Sequence, residues 1–325
     1  MRKIATIVTV IICIFLFYLT FESTVKVFSA DWQLPRATEH EQMKYRIVLI
    51  TQELETPFWD QVSAGAIEQA QKSGVELEVW GSYGNNQEDF LKKIEIAIYS
   101  KVDGIIVQGL DTDEFKDLTK IKAASYGIPI ITVANDVPME ESLRRTYVGS
   151  NQYRAGELIA NELLADMGET GEVVLLFDSR QEYYQRQRLD GIKDVLKDYP
   201  NIQTIDAETQ DTREQVTATT KQILNQIPEL DAFIAINANF AGDMIQEIGS
   251  RSQIDPYHIY SFDDDPESLS LLEEGKLDGM IEQSPRMMGE TSVNLMNNWL
   301  RNDHVPLDMD GYLTDIRMVK AMDVQ

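Results

Sequence analysis

The chain has 325 residues, of which 43% are hydrophobic and 26% are charged, so it can build a packed core and global disorder is not expected. Its formal net charge of −25 repels phosphate backbones, which argues against nucleic acid as a partner. A single cysteine, Cys13, excludes an intrachain disulfide and a cysteine-based metal site, and the three histidines are scattered. We expect neither a metal nor a cofactor.

The N-terminus predicts a membrane anchor. A short cationic start, Met1-Arg2-Lys3, precedes an uncharged apolar stretch from Ile4 to Phe21. As a helix this stretch would be about 27 Å long, close to the roughly 30 Å of a bilayer core. The cationic end is expected to stay in the cytoplasm. Residues 1–21 are therefore predicted to be a cytoplasmic start and a single-pass anchor in the cell membrane, with the rest on the extracytoplasmic side.

Two other N-terminal processing routes remain open, cleavage and lipidation. The nearest signal-peptide cleavage site, Phe28-Ser29-Ala30, has a bulky first residue. Lipid attachment at Cys13 would need a small residue in the preceding Val10-Ile11-Ile12. An uncleaved anchor is favoured over both. Residues 22–44 contain Pro35 and show no strong period, which is typical of a juxtamembrane linker.

From Tyr45 onward, short apolar runs alternate with helix-like periodicity. In the first half the pattern predicts strands at 46–50, 75–80, 104–107 and 128–133, with helices near 58–70, 88–99 and 113–125. In the second half it predicts strands at 172–177, 232–236, 258–262 and 279–282, with helices at about 183–198, 213–226, 240–250 and 286–301. Such alternation predicts an α/β fold of doubly wound parallel sheets, whose ligands lie beyond the carboxyl ends of the strands.

Motifs that would indicate an enzyme are not found. There is no G-x-G-x-x-G after a strand and no G-x-x-x-x-G-K-S/T, so nucleotide phosphates have no evident cradle. The G-x-S-x-G elbow of a hydrolase is absent as well. No pair of carboxylates can be assigned as general acid and base, so no catalytic residue is predicted.

Aromatic and amide residues follow the predicted strands of the first half. Phe58 and Trp59 come after Pro57 at the start of a helix, where they could be core residues or an aromatic platform for a pyranose ring. Asn135 and Asp136 follow the fourth strand. Both could form directional hydrogen bonds with a ligand, the amide as donor or acceptor and the carboxylate as acceptor.

Charged residues follow the strands of the second half. Glu182 and Arg186 are four residues apart on one helix face, either as a surface ion pair or as two groups directed at sugar hydroxyls. Asn237, Asp263 and Gln283 follow later strands, and each could bind a ligand or act as a turn former or helix N-cap.

From Tyr45 to about Val319 the chain resembles the type I periplasmic sugar-binding proteins of the ribose and glucose/galactose group, whose core is shared by lac-repressor-type regulators. The residues that carry the resemblance are Thr56-Pro57-Phe58-Trp59, Val102-Asp103-Gly104-Ile105-Ile106, Gly127-Ile128-Pro129-Ile130-Ile131, Tyr147-Val148-Gly149-Ser150-Asn151, Gly191, Ala235-Ile236-Asn237, Ser261-Phe262-Asp263 and Gly275-Lys276-Leu277.

The resemblance implies two lobes joined by a three-strand hinge, with crossings near 149–151, 283–285 and 312–314. Lobe 1 would hold about 45–150 and 284–312, and lobe 2 about 151–283 and 313–325. The ligand-binding groups it implies are Phe58, Trp59, Asn135, Arg186, Asn237, Asp263 and Gln283.

Two departures bear on which sugar is bound. Ribose binders have an Asp-Arg pair where this chain has Ala134-Asn135, whereas glucose/galactose binders have Asn there and an acidic residue one turn before the arginine, which Glu182 could match. Both groups have an aromatic residue near Gln210, so a second aromatic wall is either missing or supplied by Tyr183 or Tyr184.

Three classes of function are compatible with this core. A receptor that binds a small sugar or polyol, and performs no chemistry on it, is favoured. A transcription regulator would need an N-terminal helix-turn-helix instead of an apolar segment, and an enzyme would need the missing motifs. Within the receptor class, the predicted partner is a membrane histidine kinase that the receptor reports to, or alternatively an ABC permease for sugar import.

Overall fold

The computed structural model describes residues 14–22, 45–84, 86–227, 229–251, 257–262 and 266–323. The chain divides into two compact units, Met1–Met43 and Lys44–Gln325. In the first unit, residues 14–22 form helix α1. Among the described residues, every helix is too short or too polar to cross a membrane. Residues 4–13 of the predicted anchor lie outside the described residues, so the anchor stays a prediction.

The second unit contains two six-stranded sheets that define two lobes. The sheet of lobe 1 has the order β11-β5-β4-β3-β1-β2, and all of its neighbouring strands are parallel. Its strands are β1 (Arg46–Thr51), β2 (Glu76–Gly81), β3 (Gly104–Gln108), β4 (Ile130–Val133), β5 (Thr146–Ser150) and β11 (Tyr312–Thr314). Its helices are α2 (Pro57–Ser73), α3 (Gln87–Tyr99), α4 (Asp113–Lys116), α5 (Met139–Ser142) and α11 (Pro285–Leu300), and a π-helical turn over Asp117–Ala123 continues α4.

The sheet of lobe 2 has the matching order β12-β10-β9-β8-β6-β7, except that β12 is antiparallel to β10. Its strands are β6 (Gly171–Asp178), β7 (Ile202–Thr209), β8 (Ala232–Ala235), β9 (His258–Phe262), β10 (Gly279–Glu282) and β12 (Arg317–Lys320). Its helices are α6 (Gln152–Met167), α7 (Tyr183–Leu196), α8 (Arg213–Gln226), α9 (Ala241–Arg251) and α10 (Pro266–Glu273), with 3-10 turns over Ala238–Phe240 and Ala321–Asp323.

Local sequence signals explain why these elements begin and end where they do. The hydroxyl of Thr56 caps α2 by accepting from the backbone N–H of Trp59, Pro57 opens the helix, and Gly74 ends it in the left-handed conformation. The central strand β3 is buried along its whole length, as expected for a strand covered by helices on both faces.

Close helix pairs flank each sheet. A Cβ on Gly65 of α2 would lie 2.0 Å from the carbonyl oxygen of Arg286 in α11. A Cβ on Gly191 of α7 would lie 2.1 Å from the carbonyl oxygen of Tyr153 in α6. In each lobe, therefore, two helices approach so closely that only glycine fits at the contact.

The chain crosses between the lobes three times. Two crossings lie where β5 gives way to α6 and β10 to α11, close to the predicted 149–151 and 283–285. The third was predicted near 312–314, with 313–325 in lobe 2. Because β11 pairs with β5 throughout, lobe 1 extends to Thr314 and the crossing follows it.

Several elements were not predicted, among them β5, α6, β7 and α10. Strand β7 is the edge of its sheet, and half of its residues are exposed, so it lacks the continuous apolar run that marked the buried strands.

Candidate ligand-binding site

A cavity of about 250 Å³ lies between the lobes, at the carboxyl ends of the strands. It opens beside β1 and β3 in lobe 1 and beside β8 in lobe 2, near the points where the order of each sheet reverses. Its size suits a small ligand, because drug-sized ligands usually occupy about 300–1,000 Å³. The lining residues are Glu53, Thr56, Pro57, Phe58, Trp59, Gln108, Ala134, Asn135, Tyr184, Arg188, Asn237, Ala238, Asn239 and Gln283.

Phe58 and Trp59 form an aromatic wall on the lobe 1 side. Their rings meet edge to face, with centroids 5.6 Å apart. Trp59 is 3% exposed and belongs to the hydrophobic core, whereas Phe58 is half-buried. Trp59 therefore belongs to the core and supports Phe58, both rings line the cavity, and a platform for a sugar ring stays a prediction.

Amides from the ends of β3 and β4 face the same cavity. The side-chain oxygen of Gln108 accepts from the hydroxyl of Thr51 at 2.9 Å and from the backbone N–H of Gln52 at 2.8 Å. Both lone pairs are thereby used, so the NH₂ group is what Gln108 can offer a ligand. Asn135 also lines the cavity, directly after Ala134, whose φ of 62° turns the chain sharply at the end of β4.

Arg188 is the buried cation of the cavity, at 2% exposure. Its Nε donates to the side-chain oxygen of Gln152 at 2.8 Å, and its Nη1 donates to the carbonyl of Ile236 at 2.8 Å. Its guanidinium carbon lies 4.1 Å from the ring centroid of Phe262 and 5.0 Å from that of Tyr184. These contacts fix the guanidinium, and such a fixed group can donate to hydroxyls.

Tyr184 supplies the second aromatic surface that the sequence left in doubt. It lines the cavity beside Arg188, whereas Tyr183 lies against Arg186, 5.6 Å from ring centroid to guanidinium. Burial raises the pKa of Tyr184, so its hydroxyl stays protonated and can donate. Tyr184 stands one turn before Arg188, whereas Glu182, the acidic residue expected one turn before the ligand-binding arginine, precedes Arg186.

Asn237 and Gln283, two of the predicted ligand-binding residues, line the cavity, and each also makes a hydrogen bond within the protein. Asn237 accepts from the backbone N–H of Asn239 at 3.1 Å, which makes it a cap. Gln283, 8% exposed, accepts from Nε2 of Gln152 at 3.4 Å. Gln152 therefore contacts both Arg188 and Gln283 at the hinge. Asp263 lies outside the described residues, so its predicted role stays a prediction.

Three predicted residues lie outside this cavity. Asp136 lines a neighbouring cavity of about 190 Å³, and its carboxylate accepts from Thr132 and from Arg144, whose Nε is 2.7 Å from Oδ1. Glu182 and Arg186 contact Asp111 of lobe 1. Helix geometry explains why Arg188 lines the cavity and Arg186 does not. Two residues correspond to a rotation of about 200°, so Arg186 and Arg188 leave opposite faces of α7.

Sequence reasoning missed Gln108 and Arg188, and it named Tyr184 only as an alternative to Tyr183. Gln108 is the last residue of β3 and directly follows the predicted strand 104–107, just as the other candidate residues follow their strands. Arg188 could have been preferred over Arg186 by its separation of three from Gly191, which places both on the face of α7 that packs inward. No group of three or more His, Cys, Asp or Glu side chains within the described parts of the chain could hold a metal ion.

Two doubly wound lobes with a cavity between them define a hinged α/β binding fold. The chain belongs to the periplasmic binding protein domain family, whose sequence pattern matches residues 47–303. Among curated relatives, the ribose import binding protein RbsB of Bacillus subtilis is 21% identical over 298 residues, which cover 92% of this chain and 94% of the relative.

Solved structures show the same architecture. GanP, a glucose-galactose binding protein from Geobacillus stearothermophilus, is 28% identical with a TM-score of 0.81, covering 86% of this chain and 98% of its own. XylFII in its complex with LytSN is 26% identical with a TM-score of 0.76, covering 86% of this chain and 99% of its own. RbsB and GanP are binding proteins, in agreement with the expectation that this chain is not an enzyme.

Proposed function

We propose that this chain is an extracytoplasmic receptor that closes its two lobes around a small sugar or related polyol and leaves the ligand chemically unchanged. The observation that carries the proposal is the pairing, in one small interlobe cavity, of an aromatic wall with directional polar groups. The apolar faces of a sugar ring match aromatic rings, and its hydroxyls match amides and a guanidinium.

The chemistry of the cavity favours a neutral polyhydroxylated ligand. Arg188 contributes one positive charge and Glu53 one negative charge to the lining, while the remaining polar groups are amides and hydroxyls. Hydroxyl groups can donate to a carboxylate and accept from a guanidinium, so one ligand can form hydrogen bonds with both groups. The similarity to ribose import and glucose-galactose binding proteins supports the same ligand class.

A thermal-shift screen of the full chain in detergent micelles tests the proposal against pentoses, hexoses and sugar alcohols. A ligand at about 100 times its Kd adds about 2.7 kcal/mol of stability, which gives a clear shift. We expect at least one aldose to stabilise the protein and to give a saturable heat of binding by calorimetry. No shift and no heat with any member of the panel would contradict a sugar receptor.

The proposed anchor attaches the receptor to the membrane. Helix α1 carries large apolar side chains that are mostly exposed, including Ile14 at 65% and Phe17 at 74%. A bilayer would stabilise such a surface. Mass spectrometry of protein extracted from membranes should find linker peptides that are still joined to residues 4–21. A mature form that begins near Asp31 would contradict retention of the anchor.

For the role of the receptor, we propose that the closed form is presented to a membrane histidine kinase. The similarity to XylFII, which forms a complex with LytSN, supports a protein partner for this receptor, and a partner in the same membrane would be present at a high effective concentration. Import through an ABC permease is the second candidate, supported by the similarity to the ribose import binding protein.

Deleting the gene separates the two roles. We expect sugar-induced expression to be lost while sugar uptake, measured with the induced genes expressed from a constitutive promoter, continues. Lost uptake with intact induction would support import instead. Cross-linking in the membrane, followed by mass spectrometry, should recover a kinase in the first case and a permease in the second.

A further inference from the structure

Residues at the start of helix α7 in lobe 2 contact a loop of lobe 1 outside the ligand cavity. The loop follows β3 and contains Asp111. The backbone N–H of Asp111 donates to Oε2 of Glu182 at 3.0 Å, and Oδ2 of Asp111 accepts from Nη2 of Arg186 at 2.5 Å. One residue of lobe 1 is thus held by two side chains of lobe 2, at both its backbone and its carboxylate.

The loop is also fixed within its own lobe. The second carboxylate oxygen of Asp111 lies 2.7 Å from Nζ of Lys116 in α4, and the Asp111 side chain is only 12% exposed. Burial alone would raise the pKa of Asp111, but hydrogen bonds from Lys116 and Arg186 outweigh burial and lower it. Asp111 is therefore a charged, oriented acceptor that lobe 2 meets on closing.

The side chain of Glu182 contacts the other lobe across the cleft and does not cap its own helix. It occupies the N-cap position of α7, yet its side chain makes no capping bond there. Instead, the carboxylate reaches the backbone of Asp111, where burial raises the pKa of Glu182. None of the three residues lines the ligand cavity.

We propose that Asp111, Glu182 and Arg186 form an interlobe clasp that sets sugar affinity by stabilising the closed arrangement, without touching the sugar. The inference rests on the proposed function for the identity of the ligand. Since the contacts join different lobes, they exist only when the lobes are together. Apparent affinity equals intrinsic affinity scaled by the population of the competent state, so the clasp acts on every ligand by the same factor.

Arg186→Ala and Asp111→Asn test the clasp in the full chain, with calorimetric Kd values for two sugars. We expect each variant to weaken both sugars by about 5- to 20-fold, because a partly exposed ion pair and one charged hydrogen bond are lost. The ratio of the two Kd values should stay unchanged. A matched control is Arg154→Ala, which removes an exposed ion pair with Glu157 inside lobe 2 and should change neither Kd.

Two outcomes would overturn the clasp. Unchanged affinity in both variants would show that the contacts do not matter for closure. A loss that differs strongly between the two sugars would show that Arg186 contacts the sugar directly. The fold-loss of affinity in the double variant should be smaller than the product of the two single fold-losses, because both substitutions remove the same interaction.

A second measurement does not depend on sugar binding. Spin labels at Ser100→Cys in lobe 1 and Lys197→Cys in lobe 2, in a Cys13→Ala background, report the interlobe distance without ligand. The short-distance population should fall in Arg186→Ala and stay as in the parent in Arg154→Ala. If no sugar binds the parent, the proposed ligand is wrong, yet this distance distribution still supports or overturns the clasp.

Discussion

The two lobes share a scaffold but contribute different chemistry to the cavity. Both sheets have the same strand order, and in both a glycine lets two helices touch at the backbone. Lobe 1 contributes the aromatic pair Phe58 and Trp59, with amides nearby, whereas lobe 2 contributes the buried guanidinium of Arg188. The scaffold therefore fixes where strand ends meet, and a few residues just beyond those ends decide what is bound.

The lobes also differ in how their last strand is attached. In lobe 1, β11 runs parallel to β5, and in lobe 2, β12 runs antiparallel to β10. Lobe 2 adds a polar tie, in which Asp166 of α6 accepts from the hydroxyl of Tyr260 at 2.5 Å and lies 2.9 Å from Nζ of Lys320 in β12. The C-terminal strand is thus held by side chains as well as by its backbone ladder.

The largest effect on binding is expected in lobe 2, from Arg188→Ala. Removing a buried, hydrogen-bonded charge costs about 2–5 kcal/mol, which is roughly 30-fold to several thousand-fold in Kd. Calorimetry with the sugar found in the screen measures the loss, and circular dichroism checks that the variant is folded. Arg186→Ala, two residues away, is the matched comparison and should lose at most about 20-fold. Equal losses in the two variants would contradict the assignment of Arg188 to the cavity.

The shared scaffold is tested by Gly65→Ala in lobe 1 and Gly191→Ala in lobe 2. Each adds a methyl group about 2 Å from a carbonyl oxygen of the neighbouring helix, so the helices must separate. We expect each to lower the free energy of unfolding by about 1–3 kcal/mol in urea titrations. Gln71→Ala, on the exposed side of α2, should change the free energy of unfolding by no more than about 0.5 kcal/mol. A neutral effect in only one lobe would show that the two helix pairs are not equivalent.

The aromatic wall of lobe 1 is tested by Phe58→Ala. The ring is half-buried, so the variant should fold, while loss of the ring face should weaken sugar binding by about 10-fold. Phe58→Tyr keeps the ring and should bind within about threefold of the parent. Near-normal affinity of Phe58→Ala would assign Phe58 to packing alone.

The smallest effect is a pH dependence of lobe 2. Burial raises the pKa of Asp166, but hydrogen bonds from Tyr260 and Lys320 outweigh burial and lower it below the usual 3.8. A depressed pKa contributes stability above the unfolded value, and that stability is lost as the pH falls through the folded pKa. Between pH 7 and 3, therefore, the stability difference between the parent and Asp166→Asn, about 1 kcal/mol, should shrink. A constant difference across this range would contradict an ionised Asp166.

The sequence by itself determined the alternation of strands and helices and hence the doubly wound sheets. Strands such as Gly104–Gln108 are buried on both faces and read as unbroken apolar runs, and helices such as Arg213–Gln226 show a clear period. Edge strands such as Ile202–Thr209 pair on one side only and keep exposed polar residues, so their pattern resembles that of a loop.

Only the tertiary structure decided which charged residues face the ligand cavity. Glu182, Arg186 and Arg188 lie within seven residues at the start of one helix, and the spacing from Glu182 together with the family resemblance predicted Arg186 as the ligand-binding cation. The rotation of α7 against α6, fixed by the glycine contact at Gly191, turns Arg188 inward and leaves Arg186 to meet Asp111 across the cleft. Helix rotation depends on packing between elements far apart in sequence, and the separation of three between Arg188 and Gly191 is a local sign of it that becomes clear only once the packing is known.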